Sequence, residues 1–229
     1  MLMDDETPDT GERTAAADLA QLRTEFIRVA SHELRTPLTS IITFATMLET
    51  ADESLPLTPA DRQQAIGVIR RNAEHMQVIV ADLLLLSSLE TAEEPLDQVR
   101  LPVTDLLDFP GVPLRCEPGP QLLGDRALLR ELFHTAVQIV ALTGPAEIEA
   151  YCSNHRWHIV ISATTDAALT PERLLSMRIP HPEQPGEYRT GALALMLSRE
   201  IAARHGGSMV TSVDRPGVTV RIALPAGFG

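Results

Sequence analysis

Within residues 26–42, FIRVASHELRTPLTSII, one imidazole stands in a setting suited to nucleophilic chemistry. His32 is followed by a carboxylate, Glu33, and then by a hydroxyl-proline pair, Thr36-Pro37. At 100° per residue, Leu34, Leu38, Ile41 and Leu48 share one side of a helix, and His32 lies roughly 165° from their mean direction. The spacing predicts an exposed imidazole on a rigid stem. A nucleophile of this kind needs a base near its other ring nitrogen, and Glu33 is its neighbour in sequence.

Two helices must carry that imidazole. The first, expected over residues 14–50, has Leu19, Leu22, Phe26 and Val29 at three- and four-residue steps before the stripe changes phase at Leu34. Pro37 removes one backbone donor and should bend it. After a loop over 51–59, Thr58 reads as an N-cap and Pro59 as the first helical residue of a second helix ending near Leu89. Ile66, Ile69, Ala73, Met76, Val80 and Leu83 alternate steps of three and four, a heptad seam. Two antiparallel helices with continuous apolar stripes cannot bury both faces alone. Two copies paired into a four-helix bundle can, so a homodimer is expected; the alternative is a hairpin packed on its own C-terminal domain.

Beyond a linker over 93–100 the pattern becomes mixed. Residues 124–142 read as a helix with Leu128, Leu129, Leu132, Ala136 and Ile139 inward. Residues 146–152 and 156–163 alternate with period two and read as strands joined at Ser153-Asn154. A helix over 191–205 stops at Gly206-Gly207, and 208–225 reads as a hairpin turning at Asp214–Gly217. The fold class is α+β. A helical hairpin over 14–92 forms a dimeric four-helix bundle, and an α/β sandwich over 101–229 has an antiparallel-rich sheet with helices on one face. Residues 1–13 read as a disordered acidic tail.

Composition narrows the partners. The formal net charge of −12 argues against nucleic acid or an anionic membrane. All basic residues are Arg, as codon bias in a GC-rich genome would produce. With aromatics at 3%, aliphatic side chains must build the cores. Cys116 and Cys152 lack metal or redox spacing and read as buried thiols of a reduced, cytoplasmic protein. No run of about 18 apolar residues occurs, so neither a membrane span nor a signal peptide is expected. Trp157 and Met196 read as core residues; His134, His158 and His205 read as surface or capping histidines.

The run Ser31-His32-Glu33-Leu34-Arg35-Thr36-Pro37-Leu38 resembles the phosphoacceptor box of two-component sensor histidine kinases. The ending of the second helix, Asp82 to Glu90, is similar to that family as well. The resemblance implies that His32 carries phosphate, that Glu33 is the general base, and that Thr36 orients water in a phosphatase reaction. It implies docking of a response-regulator receiver domain beside His32, with Arg35, Arg70 and Arg71 as candidate contacts. Sensor kinases usually have an input domain or membrane anchor. Neither is expected in this chain, so its signal is expected through a partner.

Residues 100–229 resemble the family's ATP-binding domain, most clearly in the last forty, but depart from it at the nucleotide boxes. The places of the family's Mg²⁺-holding Asn and of a basic residue near phosphate fall on Ile139 and Leu142. Neither can ligate a hard cation, which wants oxygen. The adenine-reading box falls on Thr164, Asp166 and Ala168, with Asp166 able to substitute only if the loop slips by two residues. The phosphate-cradling glycines become Thr190, Ala192 and Ala194, whose side chains obstruct close backbone approach. The segment between the last two boxes is too short for a long ATP lid. The expectation is a phosphotransferase that holds no cofactor, binds no ATP, and relies on Mg²⁺ brought by the receiver. A divergent autokinase and a non-catalytic adaptor or phosphatase are the alternatives.

Overall fold

The computed structural model describes residues 10–51, 56–91, 95–165, 169–214 and 217–227, with side chains from Ile27 onward except that of Asp214. Asp166, Ala168 and the turn residues Arg215 and Pro216 lie outside that set. The helical hairpin consists of α1 (Thr10–Glu49) and α2 (Pro59–Thr91). Helix α1 begins inside the stretch expected as a tail and continues through Pro37. Its entry into α2 is set by local chemistry. The Thr58 hydroxyl accepts from the Asp61 backbone N–H, while an Asp61 carboxylate oxygen accepts from the Thr58 backbone N–H and hydroxyl. This reciprocal capping satisfies donors that a helix start leaves free, and Pro59 at the first position has no donor to lose.

The heptad seam of α2 is uncovered within one chain. Ile66 is 51% exposed, Val80 44% and Leu84 67%, while Ala65, Val78, Ile79, Leu86 and Leu89 are buried. On α1 the buried line is Val29, Glu33 and Pro37, one residue in four. Leu38, expected inward, is exposed, and so are Ile27 and Ile42. The chain divides into two compact units, Met1–Met76 and Gln77–Gly229. The boundary falls inside α2 rather than in the expected linker because Val78, Ile79, Leu86 and Leu89 give the end of α2 a buried face of its own.

The remaining elements are β1 (Gln98–Leu101), α3 (Val103–Leu107), β2 (Leu114–Cys116), β3 (Leu122–Asp125), α4 (Arg126–Ala141), β4 (Ala146–Ser153), β5 (Arg156–Thr164), α5 (Pro171–Ser176), β6 (Arg178–Pro180), β7 (Tyr188–Thr190), α6 (Gly191–Arg204), β8 (Ser208–Asp214) and β9 (Gly217–Pro225). Strand β1 therefore starts within the stretch read as linker. The main sheet has order β2-β4-β5-β9-β8, antiparallel except for the β2–β4 pair. Two small ribbons, β1-β3 and β6-β7, accompany it. Alternation puts Ile148, Ile159, Ile161, Val220, Ile222 and Leu224 on the buried face. Leu129, Leu132, Phe133 and Ile139 of α4 and Leu193, Leu197 and Ile201 of α6 complete the core.

Several details differ from expectation. The β4–β5 turn is Asn154-His155, both at positive φ, because Ser153 already pairs with Arg156 in the ladder. That geometry is the tight two-residue hairpin turn whose twist matches its strands. Cys116 and Cys152 are half-exposed rather than buried: β2 is the sheet edge and Cys152 sits near the end of β4. Met196 and Leu128 are half-buried. Trp157 is buried, with its indole N–H donating to the Pro120 carbonyl at 2.8 Å.

His205 caps α6 from a buried position and ties it to α4. Its Nδ1–H donates to the Ile201 carbonyl at 2.7 Å, and its Nε2 accepts from the Asp125 backbone N–H at 3.0 Å. Burial, the largest influence, holds this imidazole below its ordinary range, against the Ile201 carbonyl and Asp125, which favour the charged form. A depressed folded value means that the unfolded chain binds the proton more readily. The stabilisation is therefore complete above the unfolded value of about 6.5 and is lost as pH falls through the folded value. Thermal melts of wild type and His205→Gln should accordingly diverge above about pH 6.5 and converge on acidification. Parallel curves across that window would remove His205 from the pH dependence.

Candidate functional site

His32 stands on the solvent side of α1 with its side chain 77% exposed, while the adjacent Glu33 side chain is only 6% exposed. Successive helical residues turn by 100°, which lets one neighbour face water while the next joins the Val29–Pro37 line. Glu33 Oε1 lies 3.5 Å from His32 Nδ1. That separation is longer than an ordinary hydrogen bond, and catalytic contacts commonly tighten when substrate binds. A proton on Nδ1 facing the carboxylate leaves the Nε2 lone pair free toward solvent. Pro37, one turn on, offers no N–H to the Glu33 carbonyl.

The other expected contacts are surface groups. Arg35 and Thr36 are exposed on α1, where their carbonyls accept from the Thr39 and Ser40 hydroxyls. Arg70 and Arg71 are exposed on α2, and Arg70 makes a 3.9 Å ion contact with Glu74. An exposed pair of that kind contributes little to stability and leaves the guanidinium available.

In the α/β domain, Ile139 is fully buried in the core, whereas Leu142 is the exposed C-cap of α4. Thr164 is the exposed last residue of β5. Ala192 is half-buried and Ala194 fully buried in the first turn of α6. The Thr190 hydroxyl accepts from the Leu193 N–H, one of the donors that a phosphate would otherwise use. Gly191 is required by packing: a Cβ there would lie 2.0 Å from the Leu174 carbonyl oxygen.

Sequence reasoning missed a buried polar cluster. Arg189 on β7 grips Asp82 on α2 with two parallel bonds, Nε to Oδ2 at 2.7 Å and Nη2 to Oδ1 at 2.8 Å. Its Nη1 donates to Glu131 on α4. His181 Nε2 lies 3.4 Å from Asp82 Oδ1, and its Nδ1 accepts from the Glu183 and Gln184 N–H groups. Those two donors occupy the Nδ1 lone pair, while Nε2 lies 2.8 Å from Arg189 Nη2 as well as 3.4 Å from Asp82. One signal was available: Asp82 interrupts the apolar line Val78, Ile79, Leu86, Leu89.

Comparison with known proteins fits this geometry. The His Kinase A (phospho-acceptor) domain family matches residues 22–92, which include His32 and Glu33. The phosphate regulon sensor protein PhoR of Pseudomonas aeruginosa is 28% identical over 228 residues, covering 90% of this chain and 51% of that protein. The histidine protein kinase DivJ of Caulobacter vibrioides is 29% identical over 235 residues, covering 93% and 39%. The chain thus spans about half or less of the length of these relatives. Among solved structures, histidine kinase ThkA in complex with response regulator TrrA shares the fold, with a TM-score of 0.59 at 19% identity, covering 97% of this chain and 68% of that one. Acinetobacter baumannii histidine kinase AdeS gives 0.56 at 15% identity, covering 86% and 98%. No helix among the described residues is long and apolar enough to cross a membrane. Residues 22–92, with the exposed imidazole beside a buried carboxylate, thus match the phospho-acceptor domain family, and the chain as a whole is similar in sequence to sensor histidine kinases.

Proposed function

We propose that the chain is a phosphotransferase that carries a phosphoryl group on His32 between response-regulator receiver domains. The observation that carries this reading is the His32–Glu33 pair, exposed over buried and 3.5 Å apart, inside the segment matched by the phosphoacceptor family. Nε2 attacks the phosphorus of a receiver aspartyl phosphate; the N–P bond forms as the P–O bond to the aspartate breaks, and the carboxylate leaves. Glu33 offsets the positive charge that develops at Nδ1–H. The receiver's acidic pocket brings Mg²⁺, and transfer onward reverses the same steps. Phosphoryl transfer depends mainly on alignment and charge neutralisation, so this chain needs only the pair and a docking surface. Arg35, Arg70 and Arg71 are proposed for that surface, and Thr36 for orienting the water that hydrolyses a receiver's aspartyl phosphate to carboxylate and inorganic phosphate.

The working state is a homodimer. Exposed Ile66, Val80 and Leu84 on α2, with Ile27, Leu38 and Ile42 on α1, form apolar faces of the kind a second hairpin covers. A monomer in sedimentation equilibrium at micromolar concentration would rule it out.

Nucleotide is not part of this reading. Ile139, Leu142, Thr164, Ala192 and Ala194 stand where oxygen ligands, a basic contact and backbone-approach glycines are needed. Each lost polar contact removes on the order of 1–3 kcal/mol, and two or more lower affinity at least about thirtyfold. Calorimetry should show no Mg-ATP binding heat, and millimolar nucleotide should not move the melting temperature. A dissociation constant in the micromolar range would overturn this expectation and favour an autokinase. The function itself is tested by offering labelled ATP and, separately, labelled phospho-receivers. Phosphohistidine from receivers alone is the expected result. Label from ATP makes the chain an autokinase, and label from neither makes it an adaptor.

A further inference from the structure

Arg189 and its partners bring together three elements within the second unit: the end of α2, the β6–β7 ribbon and α4. Asp82 and Arg189 are 107 residues apart in sequence, and the side chains of both are 4% exposed. A charge buried this deeply demands its partner, because losing one member leaves the other uncompensated. The bonding is directional as well as strong: a planar fork meets both oxygens of one carboxylate and reaches a second carboxylate with its remaining nitrogen.

The residues on the ribbon are held ready for this contact. The ring of His181 is fixed by the Glu183 and Gln184 N–H groups, its backbone N–H donates to the Glu187 carbonyl at 2.9 Å, and Ile179 pairs with Arg189 across the ribbon. The segment 177–190 connects α5 to α6, the stretch between the last two boxes. Elsewhere along the same contact the charges oppose docking. Half-buried Glu200 on α6 has its carboxyl held above the usual range by burial first and by Glu90 of α2 second, with Arg204 acting in the other direction. Like charges at one end and an ion-pair fork at the other flank the buried Leu86 and Leu89 of α2, so apolar burial holds the contact and the fork gives it its direction.

We propose that the β6–β7 ribbon is a strap and that Arg189 is its latch, holding the α/β domain on the end of α2 as a separable joint. The joint opens when Asp82 or Arg189 is neutralised, which loosens the end of α2 while the rest of α2 and the main sheet stay folded. The strap does not depend on the phosphotransfer reading, and its test involves neither phosphate nor receiver.

The test is hydrogen–deuterium exchange on the full chain, comparing wild type with Arg189→Gln. Amides of residues 79–91 and 178–190 should exchange at least about tenfold faster, while those of β5 and β9 stay within about threefold. Asp82→Asn should give the same local pattern, because it removes the charge and keeps the shape. Arg189→Lys should remain open, since an ammonium cannot reproduce the two parallel bonds. Restored protection in the Lys variant would reduce the latch to simple charge pairing. A uniform rise across β5, β9 and α2, or no rise at all, would sink the proposal. Failure of both Gln and Asn variants to fold would do the same, since the contact would then be core rather than joint.

Discussion

His32→Gln is expected to abolish phosphate acceptance while the fold and the dimer persist. The side chain is 77% exposed, so its replacement removes little packing, and an exposed substitution of this kind shifts stability by about 0.5 kcal/mol or less. Glutamine offers an amide nitrogen whose lone pair is delocalised, so it cannot form the N–P bond. The measurement pairs acid-labile label with a thermal melt. Wild type should take label from a phospho-receiver, and the variant should take none at an unchanged melting temperature. Label retained in the variant would move the acceptor to another imidazole, such as half-buried His75 on α2. A collapsed melting temperature would mean that His32 serves the hairpin rather than the chemistry.

The parts of this chain that can be read from sequence are those whose neighbours set their form. Helices α2, α4 and α6 carry apolar residues at helical spacing, and Thr58 and Asp61 cap α2 through contacts three residues apart. Strands β4, β5, β8 and β9 are seven to nine residues long, enough for alternation to show. Strands β1, β2, β3, β6 and β7 are three or four residues long, so period two has no room to appear, and their pairing is set by distant partners. Gln98 pairs with Asp125, for example, and Leu114 with Ile148. The exposure of His32 follows from helical angle alone. The burial of Glu33 does not, because the stripe used to orient the helix was Leu34, Leu38, Ile41 and Leu48, whereas the buried line runs through Val29, Glu33 and Pro37. The Arg189 latch was invisible for a further reason: a lone Asp in an apolar run and an Arg in a connecting segment acquire meaning only when folding brings them within 2.7 Å.

That burial sharpens what replacing Glu33 should do. A carboxylate 6% exposed, 3.5 Å from an imidazole 77% exposed, is placed to act on the ring from the protein side and leave Nε2 to the partner. Glu33→Ala should slow receiver-to-His32 transfer by roughly 10²–10⁴-fold, the range expected for a positioned general base. Glu33→Gln separates two roles. Its amide oxygen can still accept the Nδ1 proton contact and hold the ring, but it cannot take a proton or offset the charge that develops as the N–P bond forms. If Glu33 acts through its charge, Gln should be nearly as slow as Ala in single-turnover transfer. Near wild-type rates in Gln, with slow transfer in Ala, would make Glu33 an orienting group instead. Rates within about threefold of wild type in both variants would remove Glu33 from the mechanism. Stability should not fall in the Gln variant: the substitution preserves volume and takes a charge out of a buried site, and the imidazole it leaves behind is already in water.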